Sequence, residues 1–404
     1  MLRVIPAAPD FHRRRAILDH VRHTLSFYHP RSIDPAGGFF HFFRDDGAVL
    51  DAHTRHLVSS ARYVFLWAMA TRHFPDTPAY QDNMRCAADF LRRAHRNPDT
   101  GSYAWQLHWE NSRAEIVDAT NHCYGLAFVL LAYAHALLAG LSEARSWLHE
   151  TFALMETRFW ESQHGLYADE ATPDWQLKPY RGQNANMHAT EGCLAAFEAT
   201  GESRFLDRAE LIATGITRRQ AALADGVMIW EHYRSDWSID WEYNRHVTTN
   251  IFRPWGYQPG HFTQWARLLL RLERHRPLPW LLSRAEALFS VALQRAWDDV
   301  HGGLYYGFAP DFSICDDRKY HWVQCESLAA AAVLGHRTAQ RKYWDWYDRL
   351  WAYCWRHWID HEHGAWFRLL TRENVSTSDV KSPAGKVDYH TTGACYEILA
   401  TLKD

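Results

Sequence analysis

One short phrase recurs six times along the chain: a turn with glycine, then aromatic residues, then a polar or charged stretch. It reads "DPAGGFFHFF" around Gly38, "NPDTGSYAWQ" around Gly101 and "SQHGLYADE" around Gly165. It returns as "ADGVMIWEHY" around Gly226, "DVHGGLYYGF" around Gly303 and "DHEHGAWFRL" around Gly364. The intervals between these glycines are 63, 64, 61, 77 and 61 residues, a period that marks a repeat architecture. After a glycine, so short an aromatic phrase suits a β-hairpin or extended loop, with glycine taking the positive φ.

Each interval leaves room for two helices, and two kinds are visible. In "YWDWYDRLWAYCWRHW" (343–358), Tyr343, Trp346, Tyr347, Leu350, Trp351, Cys354, Trp355 and Trp358 share one face, while Asp345, Asp348, Arg349 and Arg356 lie elsewhere. By contrast "GLAFVLLAYAHALLA" (125–139) and "SLAAAAVL" (327–334) are apolar nearly all round. Alternation of fully buried and one-faced helices over six units predicts an all-α (α/α)6 barrel, a double ring of twelve helices with short β-hairpins in its loops. With no linker-like or low-complexity stretch, residues 1–404 read as one catalytic domain. The longer fourth interval points to an insertion in "RSDWSIDWEYNRHVTTN" (234–250), a candidate lid.

Composition narrows the function. Forty-four Lys and Arg against 47 Asp and Glu leave no basic field for nucleic acid or a membrane surface. Seven scattered cysteines without zinc spacing read as buried free thiols. The N-terminus lacks a signal-peptide stretch, and no run approaches the ~18 apolar residues of a membrane span, so a cytoplasmic protein, monomer or homodimer, is expected. The 20 Trp, 19 Tyr and 20 Phe fill helix interfaces for the most part, and a few are available to stack on sugar rings.

In such a barrel the mouth is lined by residues at inner-helix starts and the loops before them. "RGQNANMHATEGCLAAF" offers Asn184, His188 and Glu191 ahead of a buried helix; "PWGYQPGHFTQWARLLL" puts His261 at a helix start; "KYHWVQCESLAAAA" carries Trp322 and Glu326 one turn apart. Arg62 lies inside the apolar "HLVSSARYVFLWA" and needs a partner, for which Glu326 is a candidate. His390 begins the last apolar helix. His361 and His363 flank a turn glycine and read as surface residues. No HExxH, phosphate loop or GxSxG motif is present, so a site without metal or cofactor is the simplest expectation.

The stretches "TRHLVSSARYVF", "RGQNANMHATEG", "WGYQPGHFTQWARLLL", "WVQCESLAAA" and "KVDYHTTGACYEIL" together make the chain resemble the N-acylglucosamine 2-epimerase superfamily over nearly its whole length. That superfamily holds sugar 2-epimerases and aldose–ketose isomerases, and the second, third and last stretches look most like the mannose-acting isomerases. The resemblance implies an (α/α)6 barrel working on unphosphorylated sugars without a required metal. It implies that His261 and His390 are the acid/base pair and that Arg62, Tyr124, Asn184, His188, Trp322 and Glu326 contact substrate. One position departs from the pattern: where many relatives carry Glu three residues after the motif histidine, this chain has Gln264. An amide orients an imidazole without supporting its charge, which would leave His261 less basic than its counterparts.

The implied reaction is interconversion of mannose and fructose through a cis-enediol. His390 would move a proton between C2 and C1, His261 would open the ring and shuttle a proton between O1 and O2, and Arg62 would stabilise the enediolate oxygen. Trp322 would stack on the sugar while Asn184, His188 and Glu326 hold hydroxyls. A second base on the opposite face of C2 would turn the same enediol into an epimer, so 2-epimerisation is the alternative. A glycoside hydrolase of the same barrel would instead need two carboxylates ~6.5–9.5 Å apart, for which Asp118, Glu191, Glu326 and Asp388 are available. A non-catalytic sugar-binding barrel would leave the helix-start imidazoles without a task.

Overall fold

A computed structural model describes residues 5–247, 250 and 252–402. Among them, twelve α-helices alternate between an outer and an inner ring. In chain order they are outer α1 (Arg14–Tyr28), inner α2 (Leu57–His73), outer α3 (Pro78–Phe90), inner α4 (Cys123–Leu138), outer α5 (Ala144–Arg158) and inner α6 (Gln183–Thr200). They continue with outer α7 (Ser203–Thr214), inner α8 (Pro259–His275), outer α9 (Leu281–Ala296), inner α10 (His321–Thr338), outer α11 (Arg341–His357) and inner α12 (Tyr389–Leu399). Each inner helix packs on the next, α12 returns to α2 to close the ring, and each outer helix leans on an inner one, as an (α/α)6 barrel requires.

The division follows from side-chain pattern. In α2 every residue from Leu57 to Ala70 is buried, and α4 and α10 are buried over most of their lengths. In α11 the buried set includes Tyr343, Tyr347, Leu350, Trp351 and Cys354, one stripe with charged residues opposite. Close approach inside the ring needs small residues. A Cβ on Gly192 of α6 would sit 2.9 Å from the Ala127 carbonyl oxygen of α4.

The repeat phrase is a structural unit. All six of its glycines have φ between +62° and +88°. Five phrases close an antiparallel bridge: Ile33 with Phe39, Arg96 with Tyr103, Trp160 with Tyr167, Trp297 with Leu304 and Ile359 with Trp366. In four units a buried cation on the strand leading towards an inner helix pins the segment before this turn. Arg55 pairs with Asp34, and Arg181 holds Glu161 through two bonds of 2.8 Å. Lys319 donates to Asp298 at 3.0 Å and to the Gly302 carbonyl at 2.6 Å. Lys381 donates to Asp360 at 2.5 Å and to the Gly364 carbonyl at 3.3 Å. These pairs tie each hairpin to the mouth of the barrel and so set where the inner helices begin.

Two expectations need adjustment. Of the seven free cysteines, Cys86 and Cys315 are exposed and five are buried. Asn184, His188 and Glu191 lie within the first turns of α6, which starts at Gln183, and not ahead of it. The insertion at 234–250 is irregular where described, with Trp237 buried; Thr248 and Thr249 fall outside the described residues. No described helix is long and apolar enough to cross a membrane.

Candidate active site

His261 is the third residue of α8, whose first residue is Pro259, and His390 is the second of α12. A proline at a helix start costs no hydrogen bond and presets φ. Before α12, Val387 and Asp388 have φ of 42° and 40°, a region that a β-branched residue rarely enters. Asp388 is held there by Tyr28 Oη, the Lys386 ammonium and Thr391 Oγ1. His390 follows closely on this strained entry.

Both histidines line one central cavity together with Arg62, Tyr124, Asn184, His188 and Trp322. Seven of the eight residues singled out in the sequence thus converge. The indole of Trp322 packs near both imidazoles, its ring centre 5.0 Å from that of His261 and 5.6 Å from that of His390. Gly260 makes room for it, since a Cβ there would fall 2.4 Å from the indole. Phe252 and Pro254, which follow the insertion, also line the cavity.

Glu326 is the exception, and its place corrects two expectations. It does not line this cavity. Its Oε1 lies 2.7 Å from His390 Nδ1 and its Oε2 accepts from Arg267 Nε at 3.0 Å, so both oxygens are committed behind the imidazole. Nor does it pair with Arg62, which donates to the Gly385 carbonyl and lies over the Phe128 and Tyr389 rings, 4.4 and 4.6 Å from their centres. Arg62 Nη2 is 3.5 Å from His390 Nε2 and 3.4 Å from the Tyr124 hydroxyl.

An acceptor at Nδ1 places the proton of neutral His390 on that nitrogen and leaves the Nε2 lone pair facing the cavity. Burial, followed by the charge of Arg62, holds this imidazole well below the ordinary histidine range. It is therefore an uncharged base at neutral pH. Burial likewise raises the Glu326 carboxyl, opposed by Arg267.

His261 has its own carboxylate. Glu231 places both oxygens 3.0 Å from His261 Nδ1, and Gln183 donates to Glu231 at 2.9 Å while accepting from Trp265 Nε1 at 2.8 Å. The sequence reading ties the support of His261 to position 264, whereas the carboxylate beside its Nδ1 comes from elsewhere. Position 264 lacks one, but Glu231 supplies it from the fourth repeat phrase. Gln264 lines the cavity, and its amide has no protein partner among the described residues.

Sequence reasoning also missed Arg267. It lies in the apolar run "WARLLL", where the argument that singled out Arg62 applied equally. It joins Glu326 to Glu191 at 2.9 Å, and Glu191 in turn holds His188 Nδ1 at 3.3 Å and the Tyr389 hydroxyl. None of the four carboxylates available for hydrolysis (Asp118, Glu191, Glu326, Asp388) lines the cavity. The arrangement offers two carboxylate-backed imidazoles, a guanidinium and an indole, which suits proton transfer next to a polarised carbonyl.

Comparison with known proteins places the chain in a family. The family model for N-acylglucosamine 2-epimerase matches residues 38–394. The D-mannose isomerase of Marinomonas mediterranea is 49% identical over 395 residues, covering 98% of this chain and 99% of that protein. The D-mannose isomerase of Thermobifida fusca is 35% identical, covering 88% and 87%. A crystal structure of a D-mannose isomerase superposes with a TM-score of 0.95 at 49% identity, covering 98% of this chain and 100% of that one.

Proposed function

The chain belongs to the N-acylglucosamine 2-epimerase family, and we propose that it is an aldose–ketose isomerase interconverting D-mannose and D-fructose. The observation that carries the reading is the placement of His390, with Nε2 turned to the cavity and Nδ1 held by Glu326. Full-length similarity to D-mannose isomerases supports the choice of sugar.

In this reading the open-chain aldose stacks on Trp322. His390 Nε2 takes the C2 proton, becomes imidazolium, and returns the proton to C1 on the same face. Glu326 stabilises the charge formed. His261, held by Glu231, carries a proton between O1 and O2 after assisting ring opening. Arg62, beside His390 Nε2, faces the enediolate oxygen, and such a preorganised cation is worth a few kcal/mol in the transition state. Tyr124, Asn184 and His188 hold hydroxyls. Glu326 acts through His390 and not on the sugar. The proposal extends to one catalytic unit over residues 1–404, working in the cytoplasm, with no metal needed because the imidazoles carry every proton.

The test is conversion of D-mannose by chelator-treated protein, with His390→Asn as control. The reading expects fructose from the parent and none from the folded variant. Fructose formation that survives His390→Asn would reject it, and activity lost on chelation would reject the metal-free part.

A further inference from the structure

We propose that the chain holds a second small-molecule site at the far end of the barrel, built for a polyol that carries an anionic group, a carboxylate or a phosphate. It goes beyond the isomerase reading and does not depend on it.

The groups assigned to the reaction open the inner helices, whereas this site lies where those helices end. Arg72 is in the last turn of α2, His135 in that of α4 and Tyr396 in that of α12. They line a cavity of about 660 Å³, within the ~300–1,000 Å³ of small-molecule sites. His261, His390 and Arg62 do not line it. Glu191, Arg267 and Glu326 do, so the ion-pair network behind His188 and His390 separates the two cavities.

Charge and hydrogen bonding at the helix ends are unbalanced. Arg267 and Arg271 between them hold the four glutamates that line the cavity: Glu191, Glu326 and Glu397 the first, Glu198 the second. Arg72 is left over. Among the described residues it meets no carboxylate and donates to Met69 Sδ at 3.7 Å. His135 and Tyr396 are each 5% exposed, yet neither ring nitrogen of His135 nor the Tyr396 hydroxyl has a protein partner among the described residues. Burying such groups is costly unless a ligand satisfies them.

The type of ligand follows from these atoms. Burial, followed by the charge of Arg271, keeps His135 uncharged at neutral pH, so its ring has one N–H to donate and one lone pair to accept with. Hydroxyls answer both needs; a bare carboxylate or a halide cannot. The two ring nitrogens point apart, so one chain reaches them with separate hydroxyls while its anionic group sits on Arg72. Phe65, edge-on to His135 with ring centres 4.8 Å apart, offers an apolar wall to the C–H groups of that chain.

The experiment is isothermal titration calorimetry of the full chain with D-gluconate and with glycerol 3-phosphate at constant ionic strength. Acetate supplies charge without hydroxyls, and sorbitol hydroxyls without charge. At least one anionic polyol should bind with a Kd near about 1 mM, tenfold or more tighter than either control. The tighter of the two names the anionic group. Arg72→Met, at an exposed position, should weaken that binding at least about tenfold, the worth of a charged hydrogen bond. His135→Phe should weaken it about five- to tenfold. The proposal is overturned if neither polyol binds below about 50 mM, or if acetate or sorbitol binds as tightly. It is equally overturned if Arg72→Met keeps the parent Kd, the result expected of an anion held by Arg62 in the other cavity. The Arg72 variant decides the matter should His135→Phe not fold.

Discussion

Glu326→Gln separates orientation of the base from contact with the sugar. The native carboxylate accepts on both sides, from His390 Nδ1 at 2.7 Å and from Arg267 Nε at 3.0 Å. An amide cannot do both. With its oxygen on Arg267, its NH2 faces Nδ1 and stabilises the tautomer in which Nε2 carries the proton, which cannot take one from C2. With its oxygen on His390, two donors meet at Arg267. Arg267 keeps Glu191 at 2.9 Å and Glu397 at 3.4 Å, so the protein should fold at a cost of about 1–3 kcal/mol. The wrong tautomer of a base histidine costs on the order of 10²–10⁴ in kcat. Because Glu326 does not line the cavity, KM should stay within about threefold of the parent, a change worth under 1 kcal/mol. The assay is steady-state fructose formation from mannose, with urea unfolding as the fold control. A variant with near-parent kcat and a strongly raised KM would refute the reasoning and return Glu326 to direct sugar contact.

Three further outcomes follow from the electrostatics. Burial keeps His390 neutral below the ordinary imidazole value, so the acid limb of kcat/KM should lie below about pH 6.5; a limb at or above it would contradict the site's polarity. Burial also depresses His20, His56 and His135 to about 3, and His95 and His232 to about 4. The unfolded chain then binds more protons below about pH 6.5, and lowering the pH from 7 to 5 should cost on the order of 1–2 kcal/mol per group in urea unfolding; a flat profile would be inconsistent with it. Lys381→Met leaves Asp360 buried without its cation, and should cost about 3–5 kcal/mol and lower Tm clearly.

The barrel was legible because its signal is local and repeated. Each of the six repeat glycines sits in a phrase a few residues long, and the buried or one-faced character of a helix is written within fifteen or so residues of its own sequence. His261 and His390 were legible for the same reason, as polar residues opening apolar helices. The pairing of side chains was not. Glu326 and His390 are separated by 64 positions, and His261 and Glu231 by 30, so each contact exists only once neighbouring inner helices and loops have docked. Sequence offered Arg62 a carboxylate, whereas the folded chain offers it a backbone carbonyl and two aromatic faces. Gln264 looked like a defect in the support of His261 because Glu231, a member of a hairpin phrase, carried no mark of that task.

The central claim is that His390 moves a proton between C2 and C1 of an unphosphorylated aldose. NMR of the protein with D-mannose in D2O tests it most directly. The account predicts fructose formed by the parent and absent with His390→Asn. C1 keeps the proton from C2 when His390 returns it directly, and carries deuterium to the extent that the imidazolium exchanges with solvent first. Mannose that stays unchanged, or glucose deuterated at C2 as the main early product of the parent, would contradict it.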